Sequence, residues 1–319
     1  MKKFLLASLA AVALVVPQAV FAADAPVLVS TAVLPDITLK SASNAAIADS
    51  VANDQGVLLG GLGSDLYHIP GDAEDIFYTI TDRGPNNDTV QPDKSAGTGF
   101  VVPTFSPLIL KIQISGSQVK ILETIAIKTK SGVGATGLPN IKGYDAVPTD
   151  VKGITADTLY NLSGLDAEGL VKTANGDFWI VDEYAPSLAQ LSSTGAIKAR
   201  YVPTGWKGNP TSFKAVKSIP SLYLTRKANR GFEALALTPD GRTLFIGLQS
   251  PLLNPTKAVG DASLATRILR FDLGSKRFTG EFVFGFEKVS LVDAKATKNS
   301  DLIILLKPTL KSFMIAYSK

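Results

Sequence analysis

The chain has 319 residues, 45% hydrophobic and 19% charged, with 27 Gly, 18 Pro, no Cys and a single His, His68. This is the profile of a globular chain with an ample core, and it excludes a disordered or collagen-like one. It also excludes a thiol nucleophile, a disulfide framework and a zinc site built on two His or Cys ligands; no Gly-x-Ser-x-Gly occurs either, so chemistry is left to carboxylates, amides, hydroxyls, Arg and Lys.

Residues 1–22 read as a signal peptide. Lys2 and Lys3 make a positive start, Phe4 to Val16 is apolar, and Val20-Phe21-Ala22 offers small residues for cleavage after Ala22 or Ala23. No later run reaches the roughly 18 apolar residues of a membrane span. Residues 23–319 are therefore expected to form one exported, soluble domain. Removing Lys2 and Lys3 leaves 30 Lys plus Arg against 28 Asp plus Glu, so the net charge does not indicate nucleic acid. The Lys-Lys start and the cysteine-free mature chain suit a bacterial protein of the periplasm or exterior.

Beyond the leader the sequence predicts strand after strand with hardly any helix. Ile76 to Thr81, Leu108 to Ile114, Val119 to Ile127, Phe178 to Asp182, Leu244 to Leu248, Ile268 to Leu273 and Leu302 to Leu306 are short and β-prone, bounded by Gly, Pro, Asn or Asp. Asn175-Gly176 and Asp240-Gly241 supply the turn dipeptides of hairpins.

Three segments repeat one plan. Gly60-Gly61-Leu62-Gly63-Ser64-Asp65-Leu66 leads to Phe77 through Arg83. Gly164-Leu165-Asp166-Ala167-Glu168-Gly169-Leu170 leads to Phe178 through Glu183, and Asn229-Arg230-Gly231-Phe232-Glu233-Ala234-Leu235 leads to Leu244 through Gln249. In each, an acidic residue opens one strand and a polar residue closes the next. Such hairpins cannot bury both faces alone, and repetition at roughly 40–50 residues is how propeller blades are built. The expectation is an all-β chain forming a β-propeller of about six blades, five or seven being possible; a pair of sandwiches or a barrel is the alternative.

These segments, with Val102-Pro103-Thr104-Phe105-Ser106-Pro107 and Gly137-Leu138-Pro139-Asn140, resemble the phytase-like family, esterase-like activity of phytase, from about Gly60 to Phe284. The resemblance implies an exported propeller and phosphoester hydrolysis. In two positions the chain departs from the family pattern: Ala185 stands where Gly is usual in a Tyr-Gly-Pro turn, and Ala234 follows Glu233 in place of Gly. Both are mild if the local φ is negative. Lys307-Pro308 replaces an acidic-basic pair, and Lys319 ends the sequence before a blade the family usually has. The ring is then expected to close with fewer blades, or by pairing Val27 to Leu34 with the C-terminal strands, unless the copy is divergent or truncated.

Polar residues at equivalent strand ends of separate blades converge on a propeller's mouth, which would gather Asp65, Asp82, Glu168, Asp182, Glu183 and Glu233. Clustered carboxylates need a cation or a shared proton, and oxygen ligands alone suit Ca2+ or Mg2+. Asp65, Glu168, Asp182 and Glu233 are expected to bind that divalent cation, Asp82 and Glu183 to support it or transfer protons, and Arg83 and Arg230 to grip the phosphate of a small-molecule phosphoester. Equally, the same carboxylates could tie blade to blade. Two rival functions stand beside this one: a non-catalytic periplasmic ligand-binding or scaffold propeller, and a metal-dependent lactonase or esterase.

Other features read as structural. His68 lies beside Tyr67 and Ile69, Gly132-x-Gly134-x-x-Gly137 precedes Pro139 with no helix pattern, and Asn86, Asn87 and Asp88 look like plain turn residues. Arg200 to Arg230 carries seven cations and no acid. It is either a steering patch or a solvated insertion with a short helix near Lys214.

Overall fold

The computed structural model describes residues 31–152 and 159–285. The signal segment and Leu302 to Leu306 lie outside the described residues. All strands and helices among the described residues belong to the unit that begins at Ala32.

Three antiparallel sheets follow one another along the chain. The first runs β1 (Leu62–Tyr67), β2 (Ile76–Thr81), β5 (Leu108–Ser115), β6 (Gln118–Ala126). The second runs β8 (Ala167–Lys172), β9 (Phe178–Asp182), β10 (Ser187–Leu191), β11 (Ile197–Pro203), with β12 (Lys214–Ile219) added in parallel beside β11. The third runs β13 (Phe232–Leu237), β14 (Thr243–Leu248), β15 (Ala265–Asp272), β16 (Arg277–Gly285). Each is an up-and-down meander like a propeller blade, and β8 packs against both β1 and β13, so the first strands of the three sheets stand side by side. The all-β expectation is met, and the strand runs read from sequence are those of β2 and β9 to the residue.

The repeat unit is longer than 50 residues. First strands begin at Leu62, Ala167 and Phe232, 105 and 65 residues apart. The extra length is spent on insertions. Between β2 and β5 the chain makes a hairpin of β3 (Asn86–Val90) and β4 (Ala96–Phe100), which β7 (Val147–Thr149) joins in parallel. Asn86, Asn87 and Asp88 therefore open a strand. After β11 comes β12, a strand where the solvated-insertion alternative put a short helix near Lys214, and then a 3-10 turn over Ser221–Thr225.

Apolar side chains fill the spaces between neighbouring sheets. Tyr78, Ile80 and Ile109 of the first sheet meet Leu170, Phe178 and Ile180 of the second. Trp179, Val181 and Leu188 meet Leu235, Ile246 and Phe271 of the third. Every residue of β9 and β10 is buried, because a middle strand in a stack of sheets has no solvent face. On the outer side of the first sheet, α1 (Leu39–Ala46) buries Leu39 and Ala42 against Leu108 and Leu110; its N-cap Thr38 accepts the Ser41 amide. Val33 bridges to Gln118 beside β6. This part of the Val27 to Leu34 segment thus lies at the outer edge of the first sheet, while residues 27–30 and those after 285 lie outside the described residues.

In the hairpins at Asn175-Gly176 and Asp240-Gly241 only the glycines take positive φ, +86° and +68°. The loops close with Thr173 N–H to Asp177 C=O and Thr238 N–H to Thr243 C=O. They are longer than a two-residue turn, with Gly at the left-handed position.

Candidate functional site

The site grows from a defect repeated in three sheets. Pairing of β1 with β2 runs from Leu62–Thr81 to Asp65–Ile80, so Gly63 and Ser64 are looped out; pairing of β8 with β9 skips Glu168, and pairing of β13 with β14 skips Glu233. A bulge bends the strand and re-aims the extra side chain. Ser64, Glu168 and Glu233 are the residues just before pairing resumes, and all three line one cavity of about 670 Å³.

The next ring of positions is equally regular. The amides of Asp82, Glu183 and Gln249 donate to the carbonyls of Gly61, Asp166 and Gly231 at 3.0, 3.0 and 2.9 Å. These side chains follow the second strand of each sheet and also line the cavity. Close approach explains two glycines here. A Cβ on Gly61 would lie 2.1 Å from Asp82 Oδ1, and one on Gly231 would lie 2.3 Å from the Glu183 carbonyl oxygen.

Five carboxylates thus face one space: Asp82, Asp166, Glu168, Glu183 and Glu233. Atoms of Asp166, Glu168 and Glu183 all lie within 4.8 Å of one another. Asp166 is neutralised by Arg83, whose Nη1 donates to its Oδ2 at 2.5 Å and also to Asn229 Oδ1. Glu168 makes no hydrogen bond or ion pair among the described residues; desolvation, then repulsion from Glu233, Asp166, Glu183 and Asp82, holds it well above the usual carboxylate range. Burial does the same for Glu183, reinforced by Asp166, by Glu233 and by a hydrogen bond with Glu233. The Oε1 atom of Glu183 is buried with no hydrogen-bond partner. Asp82 is pushed up to about 6 by burial and by Asp166, against the pull of the Gly84 amide and Arg83. Burial disfavours the charge on Arg83, yet Asp166, Tyr184, Glu183 and Asp82 more than offset it and keep the guanidinium protonated.

Of the residues chosen from sequence, Glu168, Glu233, Asp82, Glu183, Arg83 and Arg230 meet at this cavity. Asp65 and Asp182 do not. Asp65 takes the register position of Gly169 and Ala234, one residue past the bulge, so its side chain leaves the cavity. Its oxygens accept the amides of Leu66 at 2.7 Å and Leu170 at 2.6 Å, tying the first sheet to the second. Burial pushes it up to about 7.

Asp182 is the last residue of β9 and faces opposite to Glu183. It accepts from Arg200, from the Ser187 hydroxyl at 2.7 Å and from the Asp166 amide at 2.8 Å. Arg200 is fully buried, and its remaining donors reach Gly164 O at 2.9 Å and Asn140 Oδ1 at 3.0 Å. For these two carboxylates the sheet-tying alternative is the one the geometry supports. Arg200 is correspondingly no part of a solvated patch, and neither is Arg226, buried with its Nη2 2.5 Å from Asp145 Oδ1. His68 stands outside the cavity, 3.2 Å from Ala73 O and edge-on to Phe77.

Sequence reasoning missed Asp166, Ser64, Asn229 and Gln249 as site residues. The signal for Asp166 is its place in the repeat, aligned with Gly61 and Gly231 once strand pairing is known. Asn229 has φ +51°, a left-handed conformation that Asn tolerates, and this carries its side chain to Arg83. Arg230, exposed beside it, makes no ion pair among the described residues.

No helix among the described residues is long and apolar enough to cross a membrane. A curated protein of Arthroderma benhamiae, described as an uncharacterized secreted protein, is 26% identical over 288 residues, covering 74% of this chain. The chain spans 54% of that relative's length. Among solved structures, a eukaryotic initiation factor aligns over 72% of this chain and 45% of its own at 10% identity, with a TM-score of 0.24. Hydrazine synthase of Kuenenia stuttgartiensis aligns over 69% and 53% at 11% identity, with a TM-score of 0.25. At those scores neither carries an argument about fold or chemistry. Residues 57–308 match the family model for the phytase-like domain, described as esterase-like activity of phytase, and with most of its length so matched the chain belongs to the phytase-like family.

Proposed function

We propose that the cavity is the active site of an exported phosphoester hydrolase that works with a bound divalent cation, calcium, held by Asp166, Glu168 and Glu183. The observation that carries this reading is the buried, unpartnered Oε1 of Glu183 within a set of three carboxylates whose atoms lie within 4.8 Å. Calcium takes oxygen ligands at about 2.3–2.6 Å, so two ligands of one ion can stand up to about 5 Å apart, and the donor set fits. A cation also removes the electrostatic cost of holding Glu168 and Glu183 ionised.

When bound, such a cation supplies Lewis-acid polarisation of a phosphoryl oxygen. The chain's own groups do the rest. Arg83 is held against Asp166 and fixes that carboxylate. Glu233 positions Glu183 through their shared hydrogen bond. Arg230 reaches the non-bridging phosphate oxygens from the mouth as a two-pronged donor. Asp82, with its affinity for protons raised by burial, takes the proton of the attacking water and returns one to the leaving oxygen.

The test is a panel of phosphomonoesters, phosphodiesters, phytate and lactones, given to the purified protein with and without chelator. Phosphate release that chelator abolishes and that Glu168→Gln or Glu183→Gln lowers at least about 100-fold supports the proposal. Turnover of lactones alone, or of nothing while calcium leaves the melting temperature unchanged, overturns it.

A further inference from the structure

We infer that the anionic group of the substrate seats against the wall of the cavity formed by Gly60 and Ser64, and that Ser64 determines whether an anion is admitted. The inference rests on the phosphoester reading for its substrate class and adds the side on which that substrate binds.

The three sheets fill equivalent positions with different chemistry. At the bulge stand Ser64, Glu168 and Glu233; ahead of the first strand stand Gly61, Asp166 and Gly231; after the second strand stand Asp82, Glu183 and Gln249. The second sheet thus offers three carboxylates to the cavity, and the third sheet offers Glu233. The first offers only Asp82, whose Oδ1 is turned onto the Gly84 amide at 2.7 Å and against Gly61. Negative charge in the cavity is therefore lopsided. The second sheet is thus the side that suits the cation, and an anion reaching across from that cation meets, along the first sheet, Gly60 without a side chain and the Ser64 hydroxyl, with Asp82 drawn aside onto the Gly84 amide.

Ser64 is the one bulge residue that can donate a hydrogen bond to an anionic oxygen while bearing no charge. Gly60 lets a ligand reach the backbone without a Cβ in the way, whereas the space over Gly61 is taken by the Asp82 carboxylate. Arg230, exposed at the same mouth, supplies the opposing positive charge. A glutamate at position 64 would complete a ring of three bulge carboxylates. One extra unit charge about 5 Å from a bound anion, at an effective dielectric of about 20, weakens binding on the order of 100-fold.

The experiment is a phosphorus NMR titration of the calcium-loaded protein with inorganic phosphate, paired with calorimetric titration of calcium and with turnover of the ester panel. Phosphate affinity is expected to fall on the order of 100-fold in Ser64→Glu with calcium affinity undiminished, and about tenfold in Ser64→Ala through loss of a hydrogen bond to a charged group. Should Ser64→Glu not fold, Gly60→Ala takes its place. A Cβ there meets nothing in the protein nearer than 4.0 Å, so weaker phosphate binding at an unchanged melting temperature supports the same wall. Wild-type phosphate affinity in Ser64→Glu, or in Gly60→Ala if that is the variant measured, overturns the inference. If those variants lose phosphate while the wild type turns over no ester, the hydrolase proposal fails and the anion wall stands. If esters turn over and the variants bind phosphate normally, the wall fails and the hydrolase stands.

Discussion

Replacing Arg200 by Met removes the cation from a fully buried pair and leaves Asp182 in the core beside a side chain of similar length. Asp182 is ordinarily a 3.8 acid, and in the native interior burial pushes it up to about 6 even with Arg200 present. Without the guanidinium its main stabilising charge is gone, and the carboxyl is expected to stay protonated through pH 8. The native variant then holds a proton that the unfolded chain releases above 3.8, so stability falls as pH rises. The wild-type group releases its proton near 6 and adds no further slope above that. Each pH step from about 6 to 8 therefore widens the gap by about 1.4 kcal/mol, or about 3 kcal/mol by pH 8. A pH-independent loss of about 1–3 kcal/mol is added by Gly164 O, Asn140 and Ser187, which lose their donor. Urea melts of both proteins at pH 5, 6, 7 and 8 measure this directly. A difference that is flat across the series, or smaller than about 1 kcal/mol throughout, would refute the buried-pair account and return Arg200 to the surface.

Asp65→Asn addresses the other carboxylate that leaves the cavity. With Asp65 raised to about 7, the stability it contributes is present at low pH and fades as pH rises through 7; the Asn variant should lose that slope between pH 4 and 7 in the same melts, while calcium affinity by calorimetry stays at the wild-type value. A large fall in calcium affinity would put Asp65 back among the ligands. Gly231→Ala drives a Cβ into the Glu183 backbone, 2.3 Å from its carbonyl oxygen and 2.4 Å from its Cα. Turnover should drop more than about 100-fold, since small misplacement of a site group costs that much; a fully active variant would mean that the bulge of β13 yields freely. Ala185→Gly removes an alanine from φ +49°. Relief of about 1–2 kcal/mol is countered by a more flexible unfolded chain, about 0.4–1 kcal/mol, and by a lost buried methyl, about 0.8 kcal/mol. The melting temperature should therefore move by no more than a few degrees, and a rise above about 8 °C would show that the local strain is larger than φ alone implies.

Runs such as Ile76–Thr81 and Phe178–Asp182 could be read directly, because β-branched and aromatic residues bounded by turn formers leave little choice of element. The three-fold plan was legible too, and with it six of the eight residues chosen for the site. The two misplacements both turn on which face of a strand a residue takes. Side chains alternate along a strand, so the looped-out residues before Asp65 decide its face and nothing in Gly63-Ser64-Asp65 announces them, while in Val181-Asp182-Glu183 plain alternation turns Asp182 away from the side Glu183 takes. The same blindness hid Asp166, which gains its meaning from lying opposite Glu183. Ala185 shows the converse limit: its departure from the family's Gly was visible, but only coordinates reveal that its φ is positive. Arg200 was unreadable for another reason, since burial of a cation depends on partners such as Asn140 and Asp182 that lie 60 and 18 residues away.

The repeated looped-out residue gives this scaffold a practical modularity. Seven side chains at the repeated positions, those of Ser64, Asp82, Asp166, Glu168, Glu183, Glu233 and Gln249, open onto a common space, and what occupies such a socket is separate from what holds the sheets together, since apolar packing lies behind the strands. Exchanging hydroxyl, amide or carboxylate among those sockets alters the charge and denticity presented to a guest while the surrounding architecture is left as it was. A protein engineer wishing to retune selectivity would begin at those seven addresses.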